Sequence, residues 1–444
     1  MYAYDLRLAW HSIRRNPGLS ALMVLAIALG IAVCTVTFTV YHAMATNPIP
    51  HRSAQLFAVT LDTWDPQEPY DDDNPEHPPT LLTHRDATFL HESKAAPRSL
   101  VMYKTGALLL PERAGVKPFE TVVRATTHAF FSMFDVPFKY GQGWGDGADL
   151  AQEPVVVLSA ETNDKVFGGE NSVGRTIKLD QTDYRVVGVL EPWAPSPKFH
   201  DLNNGMFEDP EDVYLPFSRA RALEMPVYGN TNCWKSETQN SYQDFLNSEC
   251  VWLQMWAELP SAAARDKYQA FLDNYAREQK KAGRMPRPLN NRLYDVAQWL
   301  DRNEVVQKDN RVLIGIALLF LGVCLVNVVG LLLAKFLNAA TLTGLRRALG
   351  ASRRDIVRQH MTEVLVLGLA GGLLGLVLAV GGLAGIRSIY NSDWNRDAYQ
   401  RLTEIDPVVV LVTLALSLIA GAVAGLYPSW RIGRTAPAVY LKTQ

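Results

Sequence analysis

The chain has 444 residues and carries 43 basic and 45 acidic side chains, for a formal net charge of −2. That length exceeds one ordinary domain, and the near balance of charge excludes an overall electrostatic draw toward nucleic acid or lipid. The balance is uneven along the chain: Gly18–Tyr41, Val312–Ala334, Val364–Ile386 and Pro407–Trp430 contain no charged residue at all.

Residues 1–17 open with YDLRLAWHSIRRNP. Leu6, Leu8, Ala9, Trp10 and Ile13 form one apolar side, while Arg7, His11, Arg14 and Arg15 lie mostly off it. This pattern predicts an amphipathic helix at a membrane interface, broken at Asn16-Pro17-Gly18. The four charge-free runs each exceed the roughly 20 apolar residues that cross the hydrocarbon as a helix. They predict spans at 18–44, 311–335, 363–386 and 407–430. The first is about twice the length of a signal-peptide core, so a cleaved leader, suggested by Ala43-Met44-Ala45, is the weaker reading.

Basic residues flank the spans on one side. Arg7, Arg14 and Arg15 precede the first; Lys335, Arg346, Arg347, Arg353, Arg354 and Arg358 lie between the second and third; Arg431, Arg434 and Lys442 follow the fourth. The positive-inside rule assigns these segments, both termini and the tail 431–444 to the cytoplasm. Residues 45–310 and the short loop 387–406 then lie outside. Ala45–Arg311 holds 28 basic and 38 acidic residues, a net of −10. Two of the four cysteines, Cys233 and Cys250, fall in this external region, where an oxidising compartment permits a disulfide between them. Cys34 and Cys324 fall within spans.

Within the external region, β-rich runs at Gln55–Leu61, Pro154–Leu158, Thr176–Leu179 and Tyr184–Leu190 alternate with helical patterns at Pro79–Leu90, Thr127–Phe134, Ala160–Phe167 and Ala262–Ala282. We expect an α+β domain of two subdomains, with Trp193–Trp256 as loops stapled on by the cysteine pair. The tryptophans in that segment are expected as buried anchors rather than a binding surface. Asp71-Asp72-Asp73 reads as a solvated loop, lacking the ligand ladder of a calcium site. Asn290–Arg311 reads as a helix continuing unbroken into the second span, a rod able to transmit displacement.

Motifs of chemistry are missing. The dipeptide Gly-Lys of a phosphate loop occurs nowhere, and no H-E-x-x-H, Cys/His or Gly-x-Ser-x-Gly pattern is present. His77, His84 and His91 recur every seven residues but straddle Pro78-Pro79, so no metal site is expected. No residue is assigned a catalytic role and no cofactor is expected on this chain. The third and fourth spans place Gly368/Gly372, Gly371/Gly375 and Gly421/Gly425 four residues apart, which predicts close helix packing. That spacing leaves open whether the packing is within one subunit or across a dimer. No buried charge is expected in a span, and Asn327 is the one strongly polar side chain deep in one, which disfavours an ion channel or proton-coupled carrier.

The coupling segment 336–362 carries LRRALGASRR, Leu345, Arg346, Arg347, Ala348, Leu349, Gly350, Ala351, Ser352, Arg353 and Arg354. A turn at Gly350 and a cap at Ser352 predict two short helical pieces joined at a corner, a shape suited to docking on another protein. Lipid contact alone would account for its charge.

Thr341–Leu367 (TLTGLRRALGASRRDIVRQHMTEVLVL) resembles the signature of the MacB/FtsX-type permeases of ABC transporters, approximately REIGIRRALGA-S-x-x-DI. Val155–Trp193 is similar to that family's extracytoplasmic domain, and both ends of the chain resemble the family's ends. Thr341, Leu342 and Thr343 depart from the pattern. The resemblance implies four transmembrane helices with a large α+β domain between the first two. It implies that Leu345–Arg354 contact an ATPase, expected as separate subunits that bind the ATP and magnesium. It further implies a second permease copy or homologue, and a periplasmic adaptor and outer-membrane channel as further partners besides lipid, with no nucleic acid. The expected location is the inner membrane and the expected work is export of a drug, peptide or similar substrate by mechanotransmission. Alternatives are a lipoprotein-releasing or envelope-regulating permease of the same fold, or a non-transporting sensor or scaffold.

Overall fold

The computed structural model describes residues 2–111, 113, 115–389 and 402–434. Of the expected segments, 390–401 of the loop after the third span and 435–444 of the tail lie outside the described residues. The chain forms two compact units, Thr46–Val305 and a second made of the flanking sequences.

In chain order the first elements are α1 (Tyr2–Arg15) and the long α2 (Pro17–Ala45). Then follow β1 (Leu56–Thr60), β2 (Leu82–Thr83), α3 (His84–Glu92), β3 (Arg98–Leu110), β4 (Phe119–Thr126), α4 (Ala129–Met133), β5 (Phe138–Gly141), α5 (Asp146–Leu150), β6 (Val155–Leu158), α6 (Ala160–Phe167), β7 (Thr176–Leu179) and β8 (Thr182–Leu190). Next come β9 (Val213–Pro216), α7 (Phe217–Ala222), α8 (Tyr242–Asn247), β10 (Val251–Glu258), α9 (Ala262–Lys281), β11 (Arg292–Asp295) and α10 (Val296–Arg302). The chain closes with α11 (Lys308–Asn338), α12 (Ala340–Ala348), α13 (Arg353–Ile389) and α14 (Pro407–Arg434).

The unit Thr46–Val305 is built on one mixed sheet, ordered β11-β1-β10-β3-β4-β9-β6-β8-β5. β4–β9 and β6–β8 pair in parallel and the other neighbours antiparallel. Both faces are covered, so the central strands are apolar on both sides. In β10, Leu253, Met255 and Ala257 enter one core cluster while Trp256 enters the other. In β3, Val101 and Tyr103 face the first and Leu100 and Met102 the second. This period-two division knits the region into one compact unit rather than the two subdomains expected.

Trp193–Trp256 is not a loop segment: it contributes β9, two helices and β10, which lies inside the sheet. Its Asn, Asp and Pro content conceals strands that bulk apolar residues still drive into the core. Trp252 and Trp256 are buried there, at 2% and 1% exposure, while Trp193 and Trp234 are half-buried. Cys233 and Cys250 form a disulfide.

Asn290–Arg311 is jointed, not an unbroken helix. β11 and α10 occupy Arg292–Arg302, Asp295 starts α10 with a reciprocal capping box to Gln298, and Glu304 adopts φ 48° before α11 begins at Lys308. A cap and a left-handed residue end a helix as surely as Pro or Gly.

Among the described residues, the flanking sequences hold four helices long and apolar enough to cross a membrane: Pro17–Ala45, Asp309–Asn338, Arg353–Ile389 and Pro407–Arg434. The third is longer than its apolar run. At 37 residues it reaches about 55 Å, well beyond the hydrocarbon thickness, with its basic first turns as the excess.

Candidate functional site

The segment between α11 and α13 folds as a corner. Leu349 N–H donates to Leu345 O (3.0 Å), Gly350 N–H to Arg347 O (3.2 Å) and Ala351 N–H to Arg346 O (3.1 Å), which ends α12. Gly350 turns the chain at φ 105°, with open space where a Cβ would stand, so glycine is required there by backbone conformation rather than by crowding. Ser352 then caps α13. Its hydroxyl accepts from Asp355 N–H (3.2 Å), and Asp355 Oδ2 accepts from Ser352 N–H (3.2 Å) and from its hydroxyl (2.6 Å). Arg346 Nη1 donates to Gln359 Oε1 at 2.7 Å and ties the two arms together.

The corner presents Ala348, Leu349, Gly350, Ser352, Arg353 and Arg354 to solvent, while Arg346, Arg347 and Ala351 are half-buried. Leu349 is 80% exposed and Leu345 48%. Large apolar side chains raised among arginines on a capped turn suit insertion into a partner's groove.

Beneath the corner lies a buried polar cluster that the sequence did not suggest. Lys335 Nζ stands 2.6 Å from Glu363 Oε1, with side-chain exposures of 2% and 1%. Ser12 donates to Glu363 (2.8 Å) and Lys335 to Ser20 (2.9 Å). His360 packs its ring 4.1 Å from that of Phe336. These contacts join α1, α2, α11 and α13 at one point. The expectation of no buried charge in a span fails here: Lys335 and Glu363, at the ends of the expected spans 311–335 and 363–386, are both buried, and α11 and α13 continue helical through them. The corner is thereby anchored to three helices besides its own.

The expected packing glycines lie within one chain. A Cβ on Gly371 would stand 2.6 Å from Ile27 Cγ2, and one on Gly375 would stand 2.9 Å from Ala28 O, so both seat α13 on α2. Gly368 meets Gly421, Gly372 meets Ser417, and Gly425 meets Val364, all between α13 and α14. Thr35 and Thr413 share a hydrogen bond of 3.0 Å between α2 and α14. α11 differs. Gly315, Gly322 and Gly330 have no neighbour within 4 Å, and Asn327 is exposed.

A second ionic cluster sits inside the sheet unit. Arg124 of β4, fully buried, binds both Asp201 and Glu211, and Lys198 Nζ stands 2.8 Å from Glu211 Oε1. Burial opposes the charge on Asp201 and Glu211, yet the Arg124 guanidinium and the Lys198 ammonium hold both carboxyls below their usual range. Beside them His200 is caged by Phe130, Phe134, Trp193 and Phe199, and burial pushes its pKa down to about 3. Every charge here is matched internally, which marks a structural network rather than a ligand site.

Comparison with known proteins adds the family. The MacB-like periplasmic core domain matches residues 20–275, and the FtsX-like permease C-terminal domain matches residues 314–437. The macrolide export ATP-binding/permease protein MacB of Bdellovibrio bacteriovorus is 24% identical over 74% of this chain and 43% of its own length. The pyoverdine export ATP-binding/permease protein PvdT of Pseudomonas syringae pv. tomato is 23% identical over 99% of this chain and 59% of its own. The chain thus spans about half the length of the curated relatives it matches. The crystal structure of the periplasmic region of MacB from Actinobacillus actinomycetemcomitans aligns over 56% of this chain and 92% of that one, at 12% identity and a TM-score of 0.35. With four apolar helices, an α+β domain between the first two and both family domains in order, this chain belongs to the MacB/FtsX-like permeases of ABC transporters.

Proposed function

We propose that the chain is the membrane subunit of a MacB-type exporter, driven by ATPase subunits that dock on the corner from Leu345 to Arg354. ATP and magnesium are held by those ATPases. The observation that carries this reading is the Gly350-centred corner, capped on both sides and tied by Arg346 to Gln359, standing on the Lys335–Glu363 pair that joins four helices. A push on the corner reaches α1, α2 and α11 through hydrogen-bonded side chains, of which Lys335, Glu363 and Ser20 are buried and Ser12 half-buried. Movement then passes to the sheet unit through the joint at Asn303–Gln307 as well as through α2.

The basic flanks support a cytoplasmic corner and α1, a periplasmic sheet unit and four helices in the inner membrane. Export then acts on a drug, peptide or similar substrate on the periplasmic side, handed on to an adaptor and an outer-membrane channel. The exposed face of α11, with three unpacked glycines and Asn327, suits a second permease copy, since a polar side chain in lipid gains from a partner's hydrogen bond.

Leu349→Asp tests docking without disturbing packing, because that side chain is 80% exposed. Its expected effect is loss of the stimulated ATP hydrolysis and of co-purification with the ATPase, at unchanged membrane abundance. Full stimulation by Leu349→Asp and by Arg346→Glu would refute the reading.

A further inference from the structure

A cavity of about 700 Å³ opens between α1, α12 and the adjoining ends of α11 and α13. Arg14 and Arg15 line it from α1 and Arg346 from α12, and His11 and His360 also lie in its wall. Among the described residues the one carboxylate in its wall, Glu363, is committed to Lys335 at 2.6 Å. Among the described residues none of the three arginines has an acidic partner. His360, 6% exposed, leaves its Nδ1 without a hydrogen bond, 3.9 Å from Glu363 Oε2. A cavity lined by three guanidinium groups that no carboxylate neutralises, with a buried imidazole Nδ1 left without a hydrogen bond beside it, is built to receive an anion.

The surroundings say which kind. Arg14 lies 4.8 Å from the ring centre of Trp10, which is 53% exposed, and Leu6, one turn earlier, is 50% exposed. Arginines at a cavity mouth beside a bare indole and leucine, at the end of apolar spans, match the boundary where phosphate gives way to acyl chain. The geometry points to a binding site for the phosphate headgroup of an anionic phospholipid. The arginines hold the phosphate oxygens, and the acyl chains lie along the apolar face of α1. An occupied site would brace α1 against the corner and make the permease responsive to the lipid around it.

The test uses the full chain in nanodiscs of mixed phosphatidylcholine and phosphatidylglycerol, with retained lipid counted by native mass spectrometry. The expected result is preferential retention of phosphatidylglycerol, lowered by about fivefold per arginine in Arg14→Gln/Arg15→Gln and kept in Arg14→Lys/Arg15→Lys. Thermal unfolding of the glutamine pair in detergent, expected to match that of the unsubstituted chain, shows that its loss of preference is not loss of fold. Retention without preference, as expected were the cavity to receive an acidic segment of a protein partner, overturns the proposal. So does a preference that survives the glutamine pair. Inorganic phosphate added in detergent separates the sources: protection by phosphate with no preference among lipids marks a free-anion site and overturns the lipid assignment. No ATPase enters this experiment, so its failure leaves the coupling proposal standing.

Discussion

The sheet unit and the span unit bury their contents by opposite means. In the sheet unit, large residues do the filling: Trp252, Trp256, Tyr103, Tyr214 and Phe130 are each 2% exposed or less, Tyr103 meeting Trp252 edge to face and Phe130 meeting Tyr214 at a tilt. In the span unit the contact points are glycines, with α13 laid on α2 and α14 at Gly368, Gly371, Gly372 and Gly375. The difference follows from solvent. Water rewards the removal of aromatic area, whereas lipid gives no such reward and leaves close backbone approach and hydrogen bonds to hold helices together. Each unit also buries an ion network. The Arg124 network is sealed, and the Lys335–Glu363 network opens onto a cavity beneath the Gly350 corner.

The largest expected effect breaks the sealed network. Arg124→Met removes the guanidinium shared by the buried Asp201 and Glu211, leaves Lys198 alone to balance them, and should cost about 3–5 kcal/mol of stability, read from denaturant unfolding followed by tryptophan fluorescence. An unchanged midpoint would show the carboxylates to be solvated. Smaller and confined to the spans is Gly375→Leu, expected to cost about 1–3 kcal/mol in detergent thermostability by forcing α13 off Ala28 and Ile31. Gly381→Leu, with nothing within 4 Å, should be near neutral. Equal losses at both positions would sink the packing contrast.

The last effect is one of pH. His200 has a folded pKa of about 3 against an ordinary value of 6.5. A depressed histidine is stabilising while neutral, so stability is full above about pH 6.5 and falls as the unfolded state takes up the proton, by about 1.4 kcal/mol per pH unit toward pH 3. Asp201 and Glu211, also depressed, begin to withdraw their contribution only below their unfolded values near pH 4. His200→Phe should therefore flatten the stability profile between about pH 6 and 4.5 and leave the steeper acid loss below it. A profile unchanged in that window would remove His200 from the account.

Much of this was legible in residue order. The four spans follow from the absence of charge, and Gly350 and Ser352 announce a turn and a cap because few other residues tolerate or make them. β6, β7 and α6 were read to within a residue, being short and bounded by turn residues. The central strands β3, β4 and β10 were not, since strands buried on both faces lose the alternation that identifies them. Arg124 lies 77 and 87 residues from its carboxylates, and only a lone arginine within TVVRAT hinted at it. Lys335 and Glu363 escaped because a search for uncharged runs discards the residues at their edges. The joint before α11 has no Pro or Gly, and its one signal was Asp295 followed three residues on by Gln298.

The central claim is that the corner at Gly350 receives the force of an ATPase. A photocrosslinking residue at Leu349, activated in intact cells making the full chain, tests it most directly. The account predicts an adduct with a polypeptide bearing an ABC ATPase phosphate loop, its yield changing when ATP is depleted. Labelling of Leu349→Cys by a membrane-impermeant thiol reagent applied from outside the inner membrane, with no such adduct, would contradict it.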